Sequence, residues 1–298
     1  MKLHEDKEEF IDSIVAISNL LQIPVGLIEK DYYVFYLLKE LNKEIPGLLF
    51  KGGTCLSSAF HIIERFSEDI DLTLDNSHFG RGKNIAANHK IIEVCDRLGL
   101  KIINREKVEY HSHSNFNRYL VEYPVIYKDS NAKPYIQIEL VFFQKAYPSE
   151  VKEVNSLISE HMKNEKYELQ SFSICVQSLA RTFVDKVFAI CDYYERNETR
   201  RNSRHVYDLF KIFDSIGLDN EHMKELIESV RLDRKKSTKA VSAQDGYDIN
   251  LTLKRIKETE FYKEDFETIT KAMLIKKVDY NEIITVIDRI IESKLFNN

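Results

Sequence analysis

Apolar side chains recur at helical spacing over residues 5–21 (Phe10, Ile11, Ile14, Val15, Ile17, Leu20, Leu21) and predict an amphipathic helix. A second helix is predicted after Pro24, from Val25 to about Asn42. LLF (48–50) reads as a short strand, and TCLSSAFHIIERF (54–66) has helical period with Leu56, Phe60 and Ile63 on one face. DIDLTL (69–74) alternates strictly, the mark of a half-buried strand. A helix near 84–98 follows, then three strand candidates: KIINREKVEY (101–110), RYLVEYPVIY (118–127) and YIQIELVFF (135–143). Beyond residue 150 the character changes. FSICVQSLARTFVDKVFAICDYYER, RHVYDLFKIF and the segments up to Phe296 read as amphipathic helices. The pattern predicts an α+β chain, with residues 1–150 carrying the α/β part and residues 151–298 the helices.

Composition narrows the class without naming it. With 43% hydrophobic and 31% charged residues, the 298-residue chain can bury a substantial core. A net charge of −5 excludes a bulk polycation, so nucleic-acid contact has to come from local basic patches. The first residues, MKLHEDKEEF, are acidic where a secretory signal is basic, and no apolar run approaches the ~20 residues that span a bilayer. Cys55, Cys95, Cys175 and Cys191 lack the spacing of a zinc site. These features point to a cytoplasmic protein with reduced thiols.

Candidate chemistry begins at FKGGTCLSSAFHIIERFSEDID (50–71), because the chain has only nine glycines and places two of them together. Period two puts Asp69, Asp71 and Thr73 on one face of their strand and Ile70, Leu72 and Leu74 on the other. Two carboxylates one strand-step apart repel unless a cation lies between them. Magnesium suits hard oxygen ligands and substrate phosphates together. Lys51-Gly52-Gly53 opens a helix, and glycine amides there with the Thr54 hydroxyl suit a phosphate. A tight turn needing positive φ is the plain alternative. Neither GxGxxG nor GxxxxGK[ST] is present. In YIQIELVFF, Gln137 and Glu139 share one face, and Glu139 is either paired with a Lys or Arg on a neighbouring strand or acts as a third ligand or base.

KGGTCLSSAF followed by RFSEDIDLTL resembles the AbiEii/AbiGii toxin family of nucleotidyltransferases, within the polymerase-β-like superfamily. The upstream IEKDYYVFYLLKEL (28–41) is similar to that family's leading helix, and FVDKVFAICDYY and SRHVYDLFKI to its later motifs. The resemblance covers roughly residues 25–215. It implies a polymerase-β-like core of mixed sheet and flanking helices, then a helical domain completing the active-site cleft. It implies transfer of a nucleoside monophosphate from an NTP to an acceptor hydroxyl, on tRNA, by the toxin of a bacterial toxin–antitoxin or abortive-infection system with a separately encoded antitoxin. The implied catalytic set is Asp69, Asp71, Glu139, Lys186 and Asp208, with Asp69, Asp71 and Glu139 holding Mg²⁺ in a two-metal site and Mn²⁺ as its substitute. Lys51, Gly52, Gly53, Thr54, Ser67 and Arg204 are the implied nucleotide contacts. Where the family has Arg-Asp, this chain reads Arg204-His205, which leaves that Asp's role unfilled or taken by another residue.

Plain readings stand beside these. Lys186 borders an apolar helix face and is either a snorkelling lysine or a phosphate contact. Asp208 is either an active-site residue or the partner of Lys211 at i+3. HSH (111–113) lacks a third ligand with metal spacing. The stretches 195–204 and 231–239 are basic and read either as solvated faces or, for the first, as an RNA contact. The rival functions are transfer to a small molecule or protein and a catalytically silent nucleotide-binding module.

Overall fold

The computed structural model describes residues 1–298 except 75–81, 113, 129–132, 143–147, 217–219 and 298. Two compact units divide the chain: Met1–His61 with Ser67–Val176, and Ile62–Phe66 with Gln177–Asn298.

The first unit is a sheet with helices. Its strands are β1 (Leu48–Lys51), β2 (Asp69–Leu74), β3 (Lys101–Ile102), β4 (Phe116–Glu122), β5 (Ile136–Val141), β6 (Ser149–Val154) and β7 (Phe172–Gln177), in the order β3-β4-β5-β2-β1-β7-β6. The sheet is mixed. β2 runs parallel to β5 and β1 parallel to β7, while β1–β2, β4–β5 and β3–β4 are antiparallel. Helices α1 (Lys7–Leu21), α2 (Val25–Glu44) and α4 (Lys83–Arg97) follow the predicted spacing, with the short α3 (Gly52–Ser58) between the last two, and α1 starts where the Asp6 side chain accepts from the Glu9 amide. α2 buries Ile28, Leu37, Leu38 and Leu41 in one core with Ile70, Leu72, Ile138 and Leu140. That core takes the apolar face of β2 and β5, so their carboxylates necessarily share the other face.

The predicted mixed sheet with flanking helices, followed by a helical region, is what the chain has. Three local expectations fail. KIINREKVEY is a two-residue strand followed by a helix, α5 (Arg105–Tyr110), because Arg105 pairs with Glu109 at i+4 and Val108 is buried. The helix from Gly52 stops at Ser58, short of Phe60 and Ile63. FSICVQ is strand β7, not the start of a helix: Ser178 caps the helix that follows, accepting from the Arg181 amide. A helical turn, α6 (Leu157–His161), separates β6 from β7.

The second unit is helical. Its chief elements are α7 (Leu179–Glu195), α8 (Arg204–Phe213), α9 (Asn220–Arg234) and α10 (Ile249–Glu258). Val184, Val187 and Ile190 of α7 and Val206, Leu209 and Ile212 of α8 are fully buried. The segment 62–66 belongs to this unit and lies extended along 273–275: Phe66 N donates to Met273 O and Ile275 N to Glu64 O. Among the described residues no single helix is long and apolar enough to cross a membrane.

Candidate functional site

Register builds the first group of charges. Lys51 pairs with Asp71, Asp71 with Glu139, and Glu139 with Arg118. Residues opposite one another in a ladder share a face. A single row therefore runs cation, acid, acid, cation across β1, β2, β5 and β4. Asp69, two residues before Asp71, opens the next row opposite Gln137. This places Asp69, Asp71 and Glu139 together as the sequence predicted.

Asp69 and Glu139 each have an organised surrounding. The Lys133 ammonium lies 3.0 and 3.3 Å from the two Asp69 carboxylate oxygens. Arg118 donates to Glu139 Oε1 from Nε at 2.9 Å and lies 2.8 Å away through Nη2. The Gln137 amide donates to the same Oε1 at 2.9 Å. Glu139 Oε2 takes no hydrogen bond among the described residues. The neighbouring-strand ion pair weighed for Glu139 is thus real, and it occupies one oxygen only. Among the described residues, no three His, Cys, Asp or Glu side chains already stand in a metal-ligating cluster.

Gly52 explains half of the glycine pair. It has φ +78°, and a Cβ there would lie 1.9 Å from Asp71 Oδ2 and 2.9 Å from Asp71 Cβ. Glycine is required twice over, by the left-handed backbone and by the close approach of Asp71. Gly53 and Thr54 follow in the first turn of the seven-residue α3. Thr54 is buried, donates its hydroxyl to the Asp69 carbonyl at 2.6 Å, and has Ser67 Oγ 3.1 Å away. Both hydroxyls therefore fix the start of β2. Behind the row, the fully buried Lys30 contacts Glu68 at 2.5 Å and donates to the Lys133 carbonyl at 2.8 Å. Burial lowers its pKa and Glu68 opposes the shift.

The second unit holds a different group. Asp208, on α8, is fully buried and receives Arg65 through Nε at 2.7 Å and Nη2 at 2.8 Å, and the Lys186 ammonium at 2.6 Å. Burial alone would raise the Asp208 pKa, but Arg65 and Lys186 outweigh it and hold the carboxyl below the ordinary range. Burial lowers the Lys186 pKa against the pull of Asp208. Lys186 is thus paired inside the unit, and the Asp208–Lys211 contact weighed as the plain alternative does not form: Lys211 pairs with Glu64 at 2.7 Å. His205 stands where the family has an acid. Burial pushes its pKa well below the ordinary value, and its ring stacks on Tyr193. The Arg204 side chain makes no hydrogen bond or ion pair among the described residues.

Sequence reasoning missed Arg65, Lys133 and Arg118. Arg118 had a signal, since it falls on the polar alternation of a predicted strand. Arg65 and Lys133 had none, because each finds its partner only through the fold. The HSH stretch lies partly outside the described residues, at His113.

Three comparisons bear on this arrangement. The family described as nucleotidyl transferase AbiEii toxin, type IV toxin–antitoxin system, matches residues 36–289. No curated protein sequence matches the chain. Among solved structures the chain is similar to MenT4, a nucleotidyltransferase toxin from Mycobacterium tuberculosis, at 14% identity and a TM-score of 0.46, over 93% of this chain and 98% of that one.

Proposed function

We propose a reaction for a chain whose family is established: it belongs to the AbiEii nucleotidyl transferase toxin family of type IV toxin–antitoxin systems, and is a nucleotidyltransferase. Such a system implies a separate antitoxin. The proposed reaction moves a nucleoside monophosphate from an NTP to an acceptor hydroxyl on tRNA, releasing pyrophosphate. The observation that carries it is the charged row with Asp69 beside it, where three carboxylates share one face of the sheet and Gly52 leaves room for Asp71.

The donor set fits magnesium. Asp69 and Asp71 offer hard oxygens, and the charge of Asp69 is balanced by a partly exposed lysine, Lys133, that can move aside. When bound, the cation neutralises triphosphate charge and makes the acceptor hydroxyl more acidic. Glu139 Oε2 would serve as a third ligand for a bound cation or take the acceptor's proton, while Arg118 and Gln137 orient the carboxylate through Oε1. Lys51, Ser67 and the Gly52 and Gly53 amides receive the nucleotide phosphates. Thr54 acts through Asp69, whose carbonyl it holds. Within the second unit, Lys186 and Asp208 act as one buried ion pair that Arg65 orients. Such transfer depends on positioning and electrostatics more than on covalent chemistry.

Purified protein with Mg²⁺, each α-³²P-labelled NTP in turn and total bacterial tRNA tests the reading, beside an Asp69→Asn/Asp71→Asn variant. Label in tRNA from wild type alone is expected, with the variant's rate down by at least about 10²–10³-fold, the cost of one lost electrostatic group. Equal labelling by both proteins would sink the assigned site. Label in a protein or small molecule would replace the acceptor.

A further inference from the structure

Two basic stretches of the second unit look alike in sequence and part company in the structure. In 231–239 four of the five cations are paired within the unit: Arg231 lies 3.4 Å from Glu228, Arg234 2.6 Å from Asp192, Lys235 2.5 Å from Asp245 and Lys236 2.9 Å from Asp233, while the Lys239 side chain makes no ion pair among the described residues. In 195–204 only Arg196 is committed, to the Lys239 carbonyl and to Glu198. The side chains of Arg200, Arg201 and Arg204 make no hydrogen bond or ion pair among the described residues. Arg200 and Arg201 are exposed and Arg204 is half-buried.

The backbone beneath these arginines is held firmly. Asp265, only 5% exposed, accepts from the Arg201 amide at 2.6 Å, and from the Ser203 amide at 3.0 Å and hydroxyl at 2.6 Å. Thr270 Oγ1 lies 2.7 Å from the same Ser203 hydroxyl. Arg201 is kept at φ 65°, a left-handed conformation that a non-glycine residue adopts only when its surroundings impose it. A carboxylate beside three arginines would ordinarily neutralise one of them. Asp265 instead spends its oxygens on the Arg201 and Ser203 amides and the Ser203 hydroxyl, which fixes the turn and leaves these guanidinium groups without an ion pair among the described residues. Guanidinium forks suit phosphate oxygens bidentately and lose little freedom when already placed.

We propose that the turn at residues 199–204, fixed by Asp265, is a binding site for the phosphodiester backbone of the RNA acceptor, contacted by Arg200, Arg201 and Arg204. The proposal rests on the tRNA reading above and assigns the contact that holds the RNA. Three cations within five residues match a polyanion, and such contacts set affinity and its salt dependence without reading sequence. The turn works in a chain of net charge −5, so local placement replaces bulk attraction.

Full-length wild type, Arg200→Gln/Arg201→Gln and Lys235→Gln/Lys236→Gln would be titrated with fluorescent tRNA between about 50 and 200 mM salt. Labelled-NMP transfer and the KM for NTP would be measured alongside. The arginine variant is expected to bind about tenfold more weakly at low salt. Its log–log salt slope should be shallower by roughly one unit per arginine. The lysine variant should match wild type, because its cations are already paired. Arg201→Gly removes one guanidinium while suiting the left-handed backbone, and should give half the slope change without a loss of folding. Unchanged affinity and slope in the arginine variants, with wild type still labelling tRNA, would overturn the turn and spare the acceptor. A raised KM for NTP with unchanged RNA affinity would assign the arginines to the triphosphate and overturn the proposal. Wild type that neither binds nor labels RNA would overturn both readings.

Discussion

The two groups of charges, one in each unit, are built to opposite ends. In the first unit, Asp69 and Glu139 face Lys133 and Arg118 with side chains 17%, 25%, 20% and 52% exposed. In the second, Arg65, Asp208 and Lys186 are 3%, 0% and 8% exposed. Charges that still touch water exchange partners cheaply, since pairing gains little over hydration. Buried charges cannot, because an unpaired one loses several kcal/mol of hydration with nothing to offset it. The open group is therefore suited to receive an ion or a phosphate, and the closed group to hold a shape. Family motifs blur this distinction by placing Asp69, Asp71, Lys186 and Asp208 in one set.

The largest expected effect tests the closed group. Asp208→Asn leaves Arg65 and Lys186 without their shared carboxylate and should cost about 3–5 kcal/mol of stability. Chemical denaturation at neutral pH measures it. A variant within about 1 kcal/mol of wild type would erase the contrast. The pH dependence sharpens the point. The folded-state pKa of Asp208 lies below its unfolded value, so its contribution is complete above the unfolded value and is lost as pH falls from about 5 downward. Wild type should shed this part of its stability on acidification, and Asp208→Asn should lack that component of the slope.

Next in size is Gly52→Ala, which tests whether the open group depends on one close approach. The new methyl would overlap the Asp71 carboxylate at 1.9 Å on a backbone of φ +78°. A cost of about 1–3 kcal/mol is expected from the strained backbone alone. Asp71 must also shift, so Mn²⁺ affinity, read by electron paramagnetic resonance, should fall with the transfer rate. Wild-type Mn²⁺ affinity in this variant would mean that Asp71 is not held where the metal needs it.

How much of this was legible in the sequence depends on how far each residue's partner lies along the chain. Alternation in DIDLTL and YIQIEL placed three acids on a common face, because a strand's own period decides which side a residue takes. The row from Lys51 to Arg118 was not legible, since register between strands is settled by the whole sheet. Arg65 was silent for the same reason: its carboxylate is 143 residues away. FSICVQ misled because a short apolar run fits strand and helix alike. The Ser178 cap was the available cue. KIINREKVEY misled in the other direction, since Ile102 and Ile103 favour a strand while Arg105, Val108 and Glu109 satisfy a helical turn. The glycine pair was legible as a turn and as a phosphate cradle. Only the structure shows that Gly52 makes room for Asp71.

The smallest expected effect bears on the open group itself. Arg118→Gln removes the cation that holds Glu139 Oε1, at a pair where the arginine is half exposed. Stability should change by less than about 1 kcal/mol, against about 3–5 kcal/mol at the buried group. Yet Gln137 still donates to Oε1, so Glu139 keeps one of its two orienting contacts. If Glu139 ligates a metal, removing the competing guanidinium should tighten Mn²⁺ binding while transfer falls modestly, because the carboxylate gains charge to share and loses direction. If Glu139 takes the acceptor's proton instead, Mn²⁺ affinity should stay put while transfer falls, because the carboxylate loses direction without changing a metal site. A stability loss as large as that of Asp208→Asn would show that the exposed pair is structural after all, and the contrast between the two groups would fall.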